Sequence, residues 1–169
     1  MGPSRIIGVA VVAMLIICSE SMAAEFATDA PDGWHTWQID EAGAVSEMCC
    51  FTRQRGSTSQ SGCNLDGRRV SYGDGGNCSA TTGIVQFYVL MKNGKPSTIR
   101  ILSSECPVTT ETRITDHGVV TAKDNVEWFR NVIEDASVSQ SVREEALFGL
   151  AQSESDSAFN YLDRLLTGR

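Results

Sequence analysis

The sequence has few histidines and no cluster of basic residues, and each shortage argues against a class of function. Its 169 residues contain two histidines, and the formal net charge is −7. The longest run of adjacent basic residues is the pair Arg68-Arg69. An acidic chain without a basic patch repels nucleic acid and anionic lipid, so we expect neither as a partner.

Sequence motifs of common catalytic sites are also missing. Nucleophilic hydrolysis needs a Ser or Cys beside a His base, and Gly-x-Ser-x-Gly does not occur. The Cys-x-x-Cys spacing of thiol-redox and zinc sites is absent as well. Neighbouring carboxylates such as Glu144-Glu145 point to different sectors of a helix, so we predict solvated residues there. We therefore predict no catalytic, cofactor-binding or metal-binding residues, no cofactor, and a protein that is not an enzyme.

Both histidines have ordinary structural explanations. His35 lies between Trp34 and Trp37 in a segment where large apolar and polar residues alternate, which predicts an outward residue of a half-buried strand. His117 is part of Asp116-His117-Gly118, a composition typical of a tight turn, which predicts a solvated turn residue. Both tryptophans, like Trp128, are predicted to be core or rim residues.

One long apolar run is present, and it lies at the N-terminus. Ile6 to Cys18 follows Arg5 without a charged residue, and its length suits a signal peptide but not a permanent membrane span. Small residues before the next segment predict cleavage after Ala23, with export to the periplasm or the medium by a Sec-type signal. Two alternatives stay open: an uncleaved anchor, and a lipoprotein modified at Cys18, although Ile17 is bulkier than the usual residue at that position.

Five cysteines stay in the chain if the leader is removed: Cys49, Cys50, Cys63, Cys78 and Cys106. An oxidising compartment favours disulfides, and an odd number leaves one thiol unpaired or paired between chains. Cys49 and Cys50 are predicted to take different partners, because adjacent Cα atoms are only about 3.8 Å apart. We predict the pairs Cys50–Cys63 and Cys49–Cys106, with Cys78 as the odd thiol, although the sequence alone does not select one connectivity.

Between Gly33 and about Ala122 the residue pattern predicts strands and turns. The predicted elements are strands at 34–39, 48–52 and 68–72, loops at 53–62 and 73–77, and two short strands at 111–115 and 119–122 joined by a turn at 116–118.

The strongest local prediction is a hairpin around Asn93-Gly94, with β-forming residues at Ile84–Lys92 and Ser97–Ser103. A two-residue loop would place Phe87 opposite Arg100, whereas a three-residue loop beginning at Lys92 would place Phe87 opposite Ile99. We predict the second register, because it puts the apolar residues on one shared face.

From Asp124 the apolar period changes from two to 3.6, which predicts helices. We expect them to begin at Asp124, at Ser141, and at Ser155 or Asp156, with Gly168 ending the last. The predicted fold class is α+β. A signal peptide (1–23) precedes a small, disulfide-braced antiparallel β region (24–123) and a short antiparallel helical segment packed on it (124–169).

The helical segment carries the one family resemblance in the chain. Its residues are Val142-Arg143-Glu144-Glu145-Ala146-Leu147, then Gly149-Leu150-Ala151, then Ala158 and Leu162 to Leu166. With these residues, the segment from about Phe129 to Leu166 resembles a HEAT-type repeat of the short bacterial kind. The segment amounts to about one and a half units, whereas HEAT arrays need about three to bury a continuous core. The resemblance implies a non-enzymatic protein–protein contact.

These observations lead to two hypotheses of function. In the first, the chain is an exported, non-catalytic interaction or scaffold protein whose partner is another envelope or secreted protein. In the alternative, it is an envelope thiol-redox or stress-sensing protein that uses the Cys49/Cys50 pair. Thiol labelling with and without reduction separates the two hypotheses, because two stable bridges and one unreactive thiol would exclude the redox role.

Overall fold

The structure is a computed structural model that describes residues 30–39, 51–54, 57–60, 62–67, 84–153 and 155–168. The strands are β1 (Gly33–Ile39), β2 (Phe51–Gln54), β3 (Ser57–Gln60), β4 (Cys63–Asn64), β5 (Val85–Lys92), β6 (Lys95–Ser103), β7 (Val108–Thr109) and β8 (Ile114–Val120). The helices are α1 (Ala122–Glu134), α2 (Gln140–Ala151) and α3 (Asp156–Thr167). The predicted α+β class, with strands followed by three C-terminal helices, is confirmed.

The main sheet has the strand order β6-β5-β1-β8 and is mixed. β5 pairs antiparallel with β6 and β1, but β8 pairs parallel with β1. The prediction of an antiparallel β region is therefore wrong for β8. The reason lies in the connection after β6, which carries the chain from Ser103 back to the level of Trp34, where Ile114 enters the sheet. A strand that enters beside the start of β1 has to run in the same direction as β1.

The β5–β6 hairpin is present, but its register differs from both predicted alternatives. Asn93 and Gly94 form a two-residue turn with φ values of 53° and 69°, as this turn type requires. A bulge at Ser97 then shifts the pairing, so that Phe87 lies opposite Ile101 rather than Ile99. The predicted three-residue loop is wrong. The apolar residues of the two strands still share one face, as that loop was meant to achieve, because the bulge at Ser97 adds an unpaired residue to β6 in place of the third loop residue.

Two small sheets accompany the main one. β2 and β3 form an antiparallel hairpin, so the predicted loop at 53–62 is wrong for residues 53, 54 and 57–60. β4 pairs in parallel with β7. The predicted strand at 68–72, the predicted loop at 73–77 and residues 48–50 of the second predicted strand lie outside the described residues.

β8 replaces the two short strands predicted at 111–115 and 119–122. The register between β1 and β8 shifts after the Thr36–Asp116 pair, so that His117 and Gly118 together stand against Trp37. Gly118 has a φ of +68°, a conformation that glycine adopts without steric cost. The Asp-His-Gly signal therefore marks a bulge within one strand, because bulges and tight turns both favour glycine at a positive φ.

The helix starts are displaced from two of the three predictions. Thr121 caps α1, accepting a hydrogen bond from the Asp124 N–H at 3.1 Å, so Asp124 is the third helical residue and not the cap. Ser139, not Ser141, caps α2. α3 is capped by Ser155 and ends at Gly168 in the left-handed conformation, as predicted.

Apolar residues cover both faces of the main sheet. One cluster joins Trp37 and Phe87 to Phe129 and the other inward residues of the helices. The second cluster, on the other face, contains Trp34, Leu65, Tyr88, Leu102 and the two described cysteines. Gly149 lets α2 approach the first cluster, because a Cβ there would lie 2.6 Å from the Phe129 ring. No described helix combines the length and the hydropathy that a bilayer crossing needs.

Candidate functional site

A chain of buried hydrogen bonds links the sheet to the helices. The Trp37 indole N–H donates to Asn125 Oδ1 at 2.8 Å, and Asn125 Nδ2 donates to Ser153 Oγ at 2.7 Å. Asn125 and Ser153 are both 0% exposed. Because these buried polar groups are paired with one another, this series of hydrogen bonds positions α1 and the end of α2 and leaves no group of the series for a ligand. The prediction that Trp34, Trp37 and Trp128 are core or rim residues is confirmed.

Glu145 covers part of the free edge of β6. Its Oε2 accepts a hydrogen bond from the Ile99 N–H at 2.8 Å, and its Oε1 lies 3.2 Å from Arg100 Nη1. The prediction of a purely solvated Glu145 is therefore wrong. The physical reason is that α2 packs beside β6, and an edge strand presents N–H groups that need an acceptor.

Asp66 fastens the second apolar cluster. Its Oδ1 accepts the Trp34 indole N–H at 2.9 Å, and its Oδ2 accepts the Thr110 hydroxyl and the Glu111 N–H, each at 2.8 Å. The hydrogen bond from Trp34, followed by those from Glu111 and Thr110, lowers the pKa of Asp66 below its ordinary value of 3.8. A carboxylate that accepts three hydrogen bonds is stabilised in its charged form, so Asp66 serves to join these segments of the structure.

The structure brings together the two histidines that the sequence separates by 82 residues. His35 Nδ1 lies 2.9 Å from His117 Nε2, and His35 Nε2 lies 2.8 Å from the Pro31 carbonyl oxygen. His35 is 3% exposed, and His117 belongs to β8. The predictions of an outward His35 and a solvated turn residue at His117 are therefore wrong. The bulge at His117 and Gly118 is the local feature that accompanies the pairing, and no sequence signal connects the two positions.

The surroundings of His117 favour its neutral ring. Burial, then the neighbouring His35, lowers the pKa of His117 below its ordinary value of 6.5, although Asp116 acts in the opposite direction. A neutral imidazole can both donate and accept one hydrogen bond, so the pair can hold one proton between its facing nitrogens.

Cys63 and Cys106 are the cysteines that the described residues include. Both are disulfide-bonded and buried in the second apolar cluster. No bridge joining two described cysteines is seen. Cys49, Cys50 and Cys78 lie outside the described residues, so the pairs Cys50–Cys63 and Cys49–Cys106 and the odd thiol at Cys78 stay predictions.

The last helix leaves an apolar groove on the surface. Phe159 is 72% exposed and Leu166 is 87% exposed, while Leu162 between them is half-buried. Beside them lies a groove of about 380 Å³ between the end of α2 and α3. We call this surface the α3 groove; its lining includes Leu150, Ala151, Ala158, Phe159 and Leu162. Six apolar or aromatic residues in one short helix exceed what a single buried face holds, which is the sequence signal for this surface.

Among the residues that the structure describes, no group of three or more His, Cys, Asp or Glu side chains is placed to hold a metal ion. The chain matches no protein-family model, no curated protein and no solved structure. The geometry therefore indicates two candidate sites among the described residues, the histidine pair and the α3 groove.

Proposed function

We propose that this chain is an exported, non-catalytic binding protein whose contact surface is the α3 groove. The observation that carries the proposal is the exposure of Phe159 and Leu166 on one side of α3. Residues seven apart in a helix lie on nearly the same side, so these two side chains project from one side of α3, and we call the pair the ridge. Large apolar side chains exposed beside an apolar groove are a common mark of a protein contact.

α3 packs inward through other residues, which leaves the ridge available. Ala158 and Tyr161 are buried against the helical core, and Tyr161 also stacks with the Arg130 guanidinium, 5.1 Å from the ring centre. The ridge is offset from this inward face by about a third of the helix circumference, given 3.6 residues per turn. A helix laid along the groove would cover the ridge without displacing the packing already made.

The charges at the groove indicate what kind of helix fits. Asp156 lines the groove, and Asp163 lies one turn beyond Phe159 on the same side of α3. An acidic rim beside an apolar floor complements an amphipathic helix with basic flanks. The proposed partner is such a helix in another envelope or secreted protein. The resemblance to a HEAT-type repeat agrees with this proposal, because in a repeat array a further helix would cover the last one.

Export is part of the same proposal. The leader at 1–23 lies outside the described residues, and cleavage after Ala23, with Cys18 lipidation as the minor alternative, stays a prediction. The disulfide-bonded state of Cys63 and Cys106 supports an oxidising compartment, where such bonds persist.

Peptide binding to the mature chain, residues 24–169, tests the proposed contact. The probe is a fluorescent helical peptide of about 14 residues with leucine on one face and lysine on the other, and the control peptide carries glutamate in place of lysine. We expect the lysine peptide alone to bind, and Phe159→Ser to weaken that binding about tenfold or more. Val119→Ser is the matched control, because Val119 is 61% exposed on β8 and should not affect binding.

Two results would overturn this assignment. One is equal affinity of the lysine peptide for the wild type and for Phe159→Ser. The other is a stable dimer of the unliganded wild type that Phe159→Ser dissociates in sedimentation velocity, because then a second copy and not a basic helix occupies the groove.

The redox alternative depends on residues that the structure does not describe. Cys49 and Cys50 lie outside the described residues, and the disulfide-bonded state of Cys63 and Cys106 favours structural use of the cysteines. Mass spectrometry of the unreduced mature protein separates the hypotheses. Two bridges and one thiol would support the binding proposal, whereas two or three reactive thiols of low pKa would support the redox role.

A further inference from the structure

We propose that His35 and His117 form a pH-sensitive clasp that ties the residues before β1 and the bulged edge strand β8 to the sheet, and that opens in acid when both rings are protonated. This inference is independent of the proposed binding function. It concerns a different part of the molecule, the start of β1 and the bulge of β8, away from the α3 groove.

The two rings meet edge to edge along a well-aligned hydrogen bond. Their planes are 18° apart and their centres are 5.2 Å apart, while the facing nitrogens are 2.9 Å apart. The difference of 2.3 Å is about the sum of the two ring radii, so the nitrogens lie close to the line between the centres. Each lone pair or N–H therefore points directly at the opposite nitrogen, which leaves room for one shared proton and no more.

The Pro31 carbonyl determines where the protons are. A carbonyl oxygen only accepts hydrogen bonds, so His35 Nε2 carries a hydrogen and donates it to Pro31 at 2.8 Å. In a neutral His35 ring, Nδ1 is then the acceptor, and His117 Nε2 has to be the donor. The pair thus has a defined arrangement of tautomers at neutral pH, set by a backbone group four residues before His35.

Adding protons has two distinct effects. A first proton produces one imidazolium and one imidazole, and the hydrogen bond between them persists with charge assistance. A second proton places an N–H on both facing nitrogens and two positive charges at 2.9 Å, so the contact can no longer form. Opening therefore follows the second protonation and not the first.

The surroundings determine which side moves. Val89 of β5 is paired with His35 and is apolar, and Thr115 of β8 is its neighbour on the other side. Asp116 is the carboxylate that acts on His117, and Asp32 follows Pro31 in the chain. Because His35 is buried within a central strand and His117 is only half-buried on an edge strand, His117 should swing outward.

The sign of the pH dependence follows from the pKa of His117. Burial and His35 hold this pKa below 6.5, so the folded state binds fewer protons than the unfolded chain between 6.5 and the lowered value. Protonation of His117 therefore lowers the stability as the pH falls below 6.5 and through the lowered value, and the contact itself opens only at a lower pH, when the second proton binds.

Hydrogen exchange with a non-titrating variant tests the clasp. In His117→Gln the amide Nε2–H can still donate to His35 Nδ1 but cannot gain a charge. We expect amide exchange of residues 33–39 and 114–120, corrected for intrinsic rate, to rise about tenfold in the wild type between about pH 7.5 and pH 4.5. The same segments of His117→Gln should change less than about threefold, and α2 serves as an internal reference in both proteins.

The proposal is overturned if the wild type shows no corrected change, or if His117→Gln responds to pH as the wild type does. Imidazole ¹⁵N resonances of the wild type provide an independent test should the variant not fold. We expect both rings in the Nε2–H tautomer near pH 8 and two coupled titration steps on acidification. Two independent titrations with a common midpoint would contradict the clasp.

Discussion

Replacing Asn125 with leucine should destabilise the fold by about 2 kcal/mol, because it removes the side-chain oxygen that accepts the buried Trp37 indole N–H. In the wild type that N–H donates to Asn125 Oδ1 at 2.8 Å, and Asn125 is 0% exposed. An orphaned buried donor costs about 1–3 kcal/mol. Ser153 loses the donor that approaches at 2.7 Å but keeps its own contact with the Gly149 carbonyl at 3.4 Å, so its contribution is smaller.

A double-mutant cycle shows whether the hydrogen bond itself is responsible. Trp37→Phe removes the donor and leaves Asn125 Oδ1 unpaired, so it should also destabilise the fold. The combination Trp37→Phe with Asn125→Leu removes both polar groups, and its cost should fall below the sum of the single costs by about 1 kcal/mol or more.

Urea unfolding of the mature chain, followed by far-ultraviolet circular dichroism, measures these free energies without depending on tryptophan fluorescence. Asn131→Leu is the matched control, since Asn131 is exposed on the same helix and its replacement should change stability by less than about 0.5 kcal/mol. Additive single costs would refute the reasoning, because they would mean that Trp37 and Asn125 do not act through their mutual hydrogen bond.

Two further predictions concern packing and acid stability. Gly149→Ala should destabilise the protein by about 1–3 kcal/mol in the same urea assay, because the added Cβ would lie 2.6 Å from the Phe129 ring; an unchanged midpoint would show that α2 shifts without cost. The pKa of Asp66 is lowered by its hydrogen bonds. The Asp66 carboxylate therefore stabilises the fold fully above pH 3.8, and this stabilisation is lost as the pH falls through the lowered value. Asp66→Asn should therefore flatten the acid end of the stability profile, and thermal unfolding between about pH 2 and pH 5 measures this; a profile parallel to that of the wild type would contradict it.

Local sequence signals predicted elements whose causes are local. α3 is capped by Ser155 and Gly168 as expected, because a side-chain cap and a left-handed glycine act within one turn of the helix. The hairpin around Asn93-Gly94 was predicted for the same reason, since only the two turn residues need positive φ. The register of this hairpin was not predicted. The bulge at Ser97 determines it by aligning the apolar residues of both strands on one face of the sheet, and no preference of the two turn residues requires that bulge.

The candidate sites divide in the same way. The exposed ridge of α3 follows from too many apolar residues on one short helix, although the sequence could not say which of them the core would bury. The histidine pair has no sequence signal at all, and both histidines were assigned to solvent on local grounds. Their contact depends on β8 running parallel beside β1 and on a bulge at one position of that ladder.

By itself, the sequence determined where helices and turns form, since capping, periodicity and glycine conformation are properties of a few adjacent residues. Only the tertiary structure decided the strand order, the hairpin register, the buried hydrogen bonds of Asn125 and the contact between His35 and His117. Those features join groups as far apart as 82 and 88 residues, and their energy depends on burial and alignment, which exist only once the sheet and helices have packed.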